Sequence, residues 1–288
     1  MVRITALMDD KPSENLALRA EHGLSLYVEA AGKKILFDCG ASGSTLYNAH
    51  RLGIDLNNLD AVVISHSHYD HAAGYRDLIE SGMGSTLLYT GPHFFERKFA
   101  KDGIRYTDLS SGFDTAFLAE HEIRHCEVDP VMEIFPGIWL VSGFPRTYAF
   151  ETIPERFVRQ TPAGFVKDDF PDEICLVTQA DGGLAVLAGC SHPGILNMIS
   201  HVRDSLKQPV RMVFGGTHLM EADENRVRLT IGELKRMGLE VLGLSHCSGE
   251  KASCMIRGDQ SVCGCHLAAG DTVFFEQTSK GRAASDAD

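Results

Sequence analysis

The sequence predicts an α/β fold: an αββα sandwich of two similar halves, with two sheets packed face to face and helices outside. Three observations carry this reading. Apolar runs at residues 24–28 and 34–37 form a strand pair, followed by a helical pattern and a further apolar run at 61–64. The same succession recurs at residues 174–178 and 184–187, then a helical pattern, then 211–214. In both halves the last strand runs into histidine, His66 and His68 in the first and His218 in the second. Matching strand ends would converge on one edge of the sandwich, where sites form.

Each element has its own signal. The chain opens on a strand-like Val2-Arg3-Ile4-Thr5. Ala30-Ala31-Gly32 joins the first strand pair, and Ala180-Asp181-Gly182-Gly183 is a strong hairpin signal for the second. The first pair ends in Asp38-Cys39-Gly40, after which Leu46, His50 and Leu52 mark a helix. The second ends in Gly189-Cys190-Ser191-His192-Pro193, with Pro193 at a favoured helix entry. Ile195, Met198, Ile199, Val202 and Leu206 then share one helical face. A last helix carries Val227, Ile231 and Leu234 and stops near Gly238. Residues 1–276 are expected to form one domain, with a lid-like insertion at about 91–172; residues 277–288 are a small, polar, frayed tail.

Composition narrows the function classes. Hydrophobic residues make up 44% of the 288, enough for a substantial core, and the net charge of −12 argues against a nucleic-acid partner. No run approaches the ~18 apolar residues of a membrane span. The N-terminus lacks the apolar region of a signal peptide. Eight cysteines in a chain this long are not a dense disulfide framework. A cytoplasmic protein with reduced thiols is the expectation.

Ser65-His66-Ser67-His68-Tyr69-Asp70-His71 places four metal-ligand side chains within six residues, directly after an apolar strand. In a turn there, His66 and His68 can grip one ion while Asp70 and His71 diverge toward a second position. Imidazole with carboxylate suits zinc first, with iron, manganese or nickel as alternatives, for one or two divalent ions. Asp70 could also orient water or shuttle a proton. Asp38, at a strand end, is placed to hydrogen-bond a ligating histidine and fix its ring. Further ligand candidates follow later apolar runs: Cys190, His192, His218 and His246. A metal-bound cysteine would act as thiolate.

The H-x-H-x-D-H spacing is that of the metallo-β-lactamase superfamily. Flanking segments resemble its dihydropteroate-synthase-like branch: Glu21-His22-Gly23-Leu24-Ser25-Leu26, Asp38-Cys39-Gly40, Gly143-Phe144-Pro145-Arg146 with Phe150-Glu151, Gly189-Cys190-Ser191-His192, Gly215-Gly216-Thr217-His218-Leu219 and His246-Cys247-Ser248-Gly249. The resemblance covers about residues 3–276 in matching order. It implies the αββα fold, and an activity joining a dihydropterin diphosphate to a phosphoribosyl arylamine. Hydrolytic members of the superfamily carry a bridging aspartate where this chain has Cys190. Cys190 could bridge instead, or His192 could fill the mid-chain histidine's role. His246 fits the last histidine ligand, and His218 stays open between metal and substrate.

The insertion should carry substrate specificity. Its aromatic residues, among them Phe94, Phe95, Tyr148, Phe150, Phe157 and Phe165, could stack a heterocycle, and its arginines could pair with phosphate. Arg146, in the family-like stretch, is the first choice. The same insertion could instead be a helical subdomain or a homodimer interface. Cys247, Cys254, Cys263 and Cys265 depart from paired Cys-x2-Cys spacing, so packed or redox-active thiols are the default and a second metal or cluster the alternative. Three functions remain open: transfer to a phosphorylated or heterocyclic small molecule, hydrolysis of an ester, phosphodiester or lactone, and non-catalytic metal or redox sensing.

Overall fold

The computed structural model describes residues 1–257 and 261–277. The first half holds β1 (Val2–Met8), β2 (Ser25–Ala30), β3 (Lys33–Phe37), α1 (Ser44–Arg51), β4 (Ala61–Val63), α2 (Tyr69–Ala72), α3 (Gly74–Glu80) and β5 (Leu87–Thr90). The connection holds β6 (Lys98–Asp102), β7 (Arg105–Asp108), α4 (Thr115–Glu120), β8 (Arg124–Glu127), β9 (Val131–Phe135), β10 (Ile138–Val141), β11 (Phe157–Thr161) and β12 (Gly164–Lys167). The second half holds β13 (Cys175–Ala180), β14 (Gly183–Ala188), α5 (Ile195–Leu206), β15 (Val210–Gly215), α6 (Glu224–Arg236) and β16 (Val241–Leu244). A 3₁₀ turn (His246–Ser248), α7 (Gly249–Arg257), β17 (Cys263–His266) and β18 (Thr272–Phe275) close the chain.

Two seven-stranded sheets run β18-β1-β2-β3-β4-β5-β8 and β17-β16-β15-β14-β13-β10-β9. Each has three antiparallel pairs on one side and three parallel pairs on the other. That shared pattern is the structural form of the internal repeat. The β2–β3 turn places both Ala31 (φ 52°) and Gly32 (φ 75°) in the left-handed region, the tight-hairpin geometry that matches strand twist. Asp223 caps α6 by accepting from Arg226 N–H, and the chain leaves that helix at Gly238.

Alternation along the strands builds three apolar layers. Ile35, Phe37, Ala61 and Val63 face Ile138, Leu140, Ala185 and Leu187 between the sheets. Leu36, Val62 and Ile64 turn outward under the helices of the first half, packing with Leu56, Tyr75 and Phe117. Leu184, Val186 and Val213 turn outward under α5, α6 and α7. Each fully buried Val, Leu or Ile contributes about 1.5–3 kcal/mol.

The connection differs from the single lid expected over 91–172. β8 extends the first sheet, while β9 and β10 extend the second; only β6, β7, β11 and β12 form a separate four-stranded sheet. Residues 131–141 carry enough apolar side chains to join the central layer, so β10 pairs with β13, and β9 with β10, rather than covering the site. The subdomain is therefore β, not helical. Phe94 and Phe95 pack into the outer layer of the first half. Among the described residues no helix is long and apolar enough to cross a membrane. The tail expected at 277–288 lies, beyond Gln277, outside the described residues.

Candidate metal centre

The parallel strands β3, β4, β14, β15 and β16 all end on one edge, and the polar residues follow each of them. At these ends Asp38 (φ 59°), Ser191 (φ 59°), His218 (φ 48°) and His246 (φ 48°) hold left-handed backbone. Such strain in non-glycine residues clusters at functional sites.

Asp38 organises the first half. Its buried carboxylate accepts from Ser65 N–H (2.6 Å), Ser65 Oγ–H (2.8 Å) and His71 Nδ1 (2.6 Å). Ser65 Oγ, its proton given to Asp38, accepts in turn from His66 Nδ1 at 2.9 Å. Asp38 therefore fixes both rings, one directly and one through Ser65, with each Nε2 lone pair turned into the site. Gly189 permits this packing, because a Cβ there would stand 2.0 Å from Ser65 Oγ.

Two neighbouring donor groups result. His66, His68 and His192 each offer one ligand atom within 4.8 Å of the others, as do Asp70, His71 and His246. Cys190 lies between them, grouped with His66 and His71. All seven side chains are buried. His66 Nε2, His68 Nε2 and both nitrogens of His192 are buried without a hydrogen-bond partner. Four such orphans in one place are costly unless something binds them. Burial, and then neighbouring imidazoles, hold His66 below the ordinary histidine range; burial likewise lowers His68 and His192. These are neutral imidazoles, the form that ligates metal.

The second group makes the same case by distance. His71 Nε2 stands 3.2 Å from His246 Nε2 and 3.2 Å from Cys190 Sγ, and His246 Nε2 is 3.2 Å from Asp70 Oδ2. A tetrahedral ion with bonds of about 2.0–2.1 Å to nitrogen spaces its ligands about 3.3 Å apart. His246 donates Nδ1–H to Asp10 at 2.6 Å, as His71 does to Asp38, so two Nε2 lone pairs face each other. Only a proton or a metal ion between them relieves that repulsion. Burial opposes a proton on His246, yet Asp10 and Asp70 hold its protonated form well above the ordinary range. Burial alone would raise Asp70, but His22 and His246 keep it ionised. The residues present thus fit two divalent ions, with Cys190 where both could share it.

Sequence reading missed much of what holds these groups. Asp9 accepts from His246 N–H (2.6 Å) and Asp10 from His246 and His22. Both follow β1 as Asp38 follows β3, a signal available from the strand-end position. His22 also reaches Asp70 at 3.2 Å and is raised to about 9, first by Asp10 and then by Asp70. On the other side, Asp172 accepts from Ser67 N–H (2.8 Å), while Glu173 accepts from Ser191 N–H (2.5 Å) and His192 N–H (2.9 Å). Buried Lys98 pairs with Asp168 and Asp172 and sits over Phe170, which stacks on His192 at 3.7 Å.

The open space above these groups is a cavity of about 260 Å³ lined by His22, Tyr69, Asp70, Arg156, Phe157 and His218, with Glu221 beside them. Arg156 lies over the Phe157 ring and pairs with Glu221. Arg146, the expected substrate ligand, instead borders a separate cavity with Tyr148, Glu151 and Lys167, and donates to the Asp169 carbonyl. The loop before β11 carries Arg156 across the mouth, whereas Arg146 precedes it and is turned aside. His218 lines the mouth, its ring tilted against that of His192 at 4.4 Å, and joins neither donor group. The four C-terminal cysteines do not gather: Cys247 is buried beside Cys190 and His246, while Cys254 and Cys263 are exposed. Among the described residues, no donor group includes Cys254, Cys263 or Cys265.

The sequence pattern of the metallo-beta-lactamase superfamily matches residues 18–159. The chain is 29% identical to the 7,8-dihydropterin-6-methyl-4-(beta-D-ribofuranosyl)-aminobenzene-5'-phosphate synthase of Methanocaldococcus jannaschii, over 95% of this chain and 97% of that one. It is 30% identical to MJ0448 of the same organism, an uncharacterized protein, over 81% of this chain and 86% of that one. Its fold is similar to the crystal structure of Tm1679, described as a metal-dependent hydrolase of the beta-lactamase superfamily: TM-score 0.82, 28% identity, 95% of this chain and 99% of that one. Fold, ligand-rich edge and sequence agree, and the chain belongs to the metallo-β-lactamase superfamily.

Proposed function

We propose that this protein is a metal-dependent transferase that joins a phosphate-activated heterocycle to an amine, forming a C–N bond. The observation that carries the reading is the cavity's composition. Arg156 and the aromatic faces of Phe157 and Tyr69 line the cavity over two donor groups, and the residue grouped with a histidine of each is Cys190, not a carboxylate. The likeness to a dihydropterin-using synthase along 95% of the chain supports the same substrate class. His66, His68 and His192 would hold one ion, and Asp70, His71, His246 and Cys190 the other, with zinc the first candidate. Bound there, divalent ions supply Lewis acidity for a diphosphate leaving group.

The chain's own groups do the rest. Arg156 can exchange Glu221 for a phosphate oxygen in a charge-assisted pair. Phe157 offers a stacking face for a flat ring. Asp70 and His218 both line the mouth, and His218, which joins neither donor group, would take the proton of the attacking amine. Phe170 and Phe157 shield the histidines from water.

The test supplies a dihydropterin diphosphate and an arylamine, and follows diphosphate release with the coupled product. Coupled product is expected; turnover only on an ester, phosphodiester or lactone panel would replace this reading with hydrolysis. That second reading has its own support in the hydrolase description of Tm1679. Tightly held metal with no turnover on either panel would leave a metal or redox sensor.

A further inference from the structure

Cys247 is a buried thiol with no part in the donor groups proposed for either cation. It follows His246 in the 3₁₀ turn, and its sulfur, that of Cys190 and a His246 nitrogen lie within 4.8 Å of one another. The two thiols arrive from different strands, β14 and β16, and neither is in a disulfide. His218 N–H points at Cys247 Sγ from 3.3 Å, and the same sulfur lies 3.6 Å from the Cys190 carbonyl. Gly216 leaves room for that sulfur: a Cβ there would stand 2.6 Å from it. Both thiols also line the cavity, so a small molecule that enters the site meets them together. Cys39 and Cys175 are equally buried but line no described part of it.

We propose that Cys190 and Cys247 form an oxidisable pair, and that their disulfide, made at the expense of a hydroperoxide, withdraws Cys190 from the metal centre. The inference rests on the reading of Cys190 as a metal ligand. The Cys247 sulfur attacks the terminal peroxide oxygen; the O–O bond breaks, leaving a sulfenic acid, and the thiol proton departs with the alcohol. The Cys190 sulfur then attacks the sulfenic sulfur. The S–S bond forms, the S–O bond breaks, and the departing hydroxide takes a proton from solvent to leave as water, since Cys190, held as a thiolate by the ion, has none to give. Two thiols have lost two electrons, and the peroxide has become alcohol and water. A disulfide sulfur is neutral and a poor donor, so the second position keeps only Asp70, His71 and His246. Thiol reductants reverse the change.

The experiment exposes the zinc-loaded full chain to tert-butyl hydroperoxide, blocks free thiols in denaturant and maps disulfide-linked peptides by mass spectrometry. Released zinc is read in parallel with a chromophoric chelator. The expected result is a Cys190–Cys247 peptide that dithiothreitol removes, with zinc released about tenfold faster than from untreated protein. Cys247→Ser should release zinc at the untreated rate. Should that variant misfold, the wild-type peptide map still decides. Zinc release without the link, with Cys190 alone oxidised, would overturn the pair and leave Cys190 as a ligand. A link without zinc release would overturn the switch together with the ligand reading of Cys190.

Discussion

In the His66–His68–His192 group the ligand loops are held by their backbone, whereas in the Asp70–His71–His246 group each imidazole is held by a carboxylate of its own. Asp172 and Glu173 grip the N–H groups of Ser67, Ser191 and His192, leaving the His192 ring with no polar partner. Asp38 and Asp10 grip the rings of His71 and His246 directly. The first arrangement fixes where the His192 ring stands, with only His66 of that group braced at its ring, through Ser65; the second fixes the tautomer of each imidazole directly and raises its basicity. Charge follows the same division. Lys98 beneath the first group offsets Asp168 and Asp172, while Asp10, Asp38 and Asp70 leave the second group rich in anions. The second position should therefore bind a divalent cation more tightly than the first.

The strongest way to break this comparison is Asp38→Asn, because Asp38 reaches both groups, His71 directly and His66 through Ser65. An amide would turn N–H toward His71 or toward Ser65. The expected outcome is loss of metal at both positions, each weakened about 10–100-fold, measured as ions per chain by mass spectrometry after dialysis. Loss at one position only would show that Ser65 does not couple His66 to Asp38. Asp10→Asn should act on the second position alone, by about tenfold. Competition with a chelator would read this as one weakened ion beside one unchanged ion.

Glu173→Gln sharpens the other side. Its carboxylate serves two backbone donors, and one amide oxygen cannot replace both, so about 1–3 kcal/mol of stability should be lost. Denaturant melts would measure that, and the first ion should loosen while the second does not. At the mouth, Arg156→Ala is expected to raise KM about tenfold with a smaller change in kcat, whereas Arg146→Ala leaves both near wild type. Equal effects from the two arginines would restore Arg146 to the substrate path.

A last effect, outside both donor groups, is one of pH. Glu151 accepts from Leu196 N–H and Asn197 N–H at the start of α5, the helix behind His192. Burial pushes its carboxyl up to about 7, against the downward pull of those two N–H groups. In the unfolded chain it would ionise at its ordinary 4.5, so unfolding releases its proton between pH 4.5 and about 7. Stability should fall across that window by at most about 3 kcal/mol and then level off. Glu151→Gln should remove this slope in urea melts performed from pH 4 to 8.

Much of this was legible before any coordinates. Periodicity located β2, β3, β13, β14 and the helices after them, because a half-buried strand must alternate and a packed helix must carry one apolar face. The H-x-H-x-D-H run, Asp38 and His246 were legible because each follows a strand whose end must lie on the sheet edge. The pairing of β8, β9 and β10 with the main sheets was not. Short apolar runs inside a long connection do not say which edge they extend, since register is set by partners far along the chain.

Sequence alone determined the αββα class, the superfamily and the residue types that gather at the candidate metal centre, all of which depend on local order. Tertiary structure alone decided which of those residues stand together and what holds them. Asp10 lies 236 positions from His246 and Ser67 lies 105 from Asp172, yet both pairs are hydrogen-bonded. It also brought Arg156, not Arg146, to the mouth, and set Cys247 beside Cys190. These contacts form where strands from distant parts of the chain end on one edge, and no local pattern encodes that meeting.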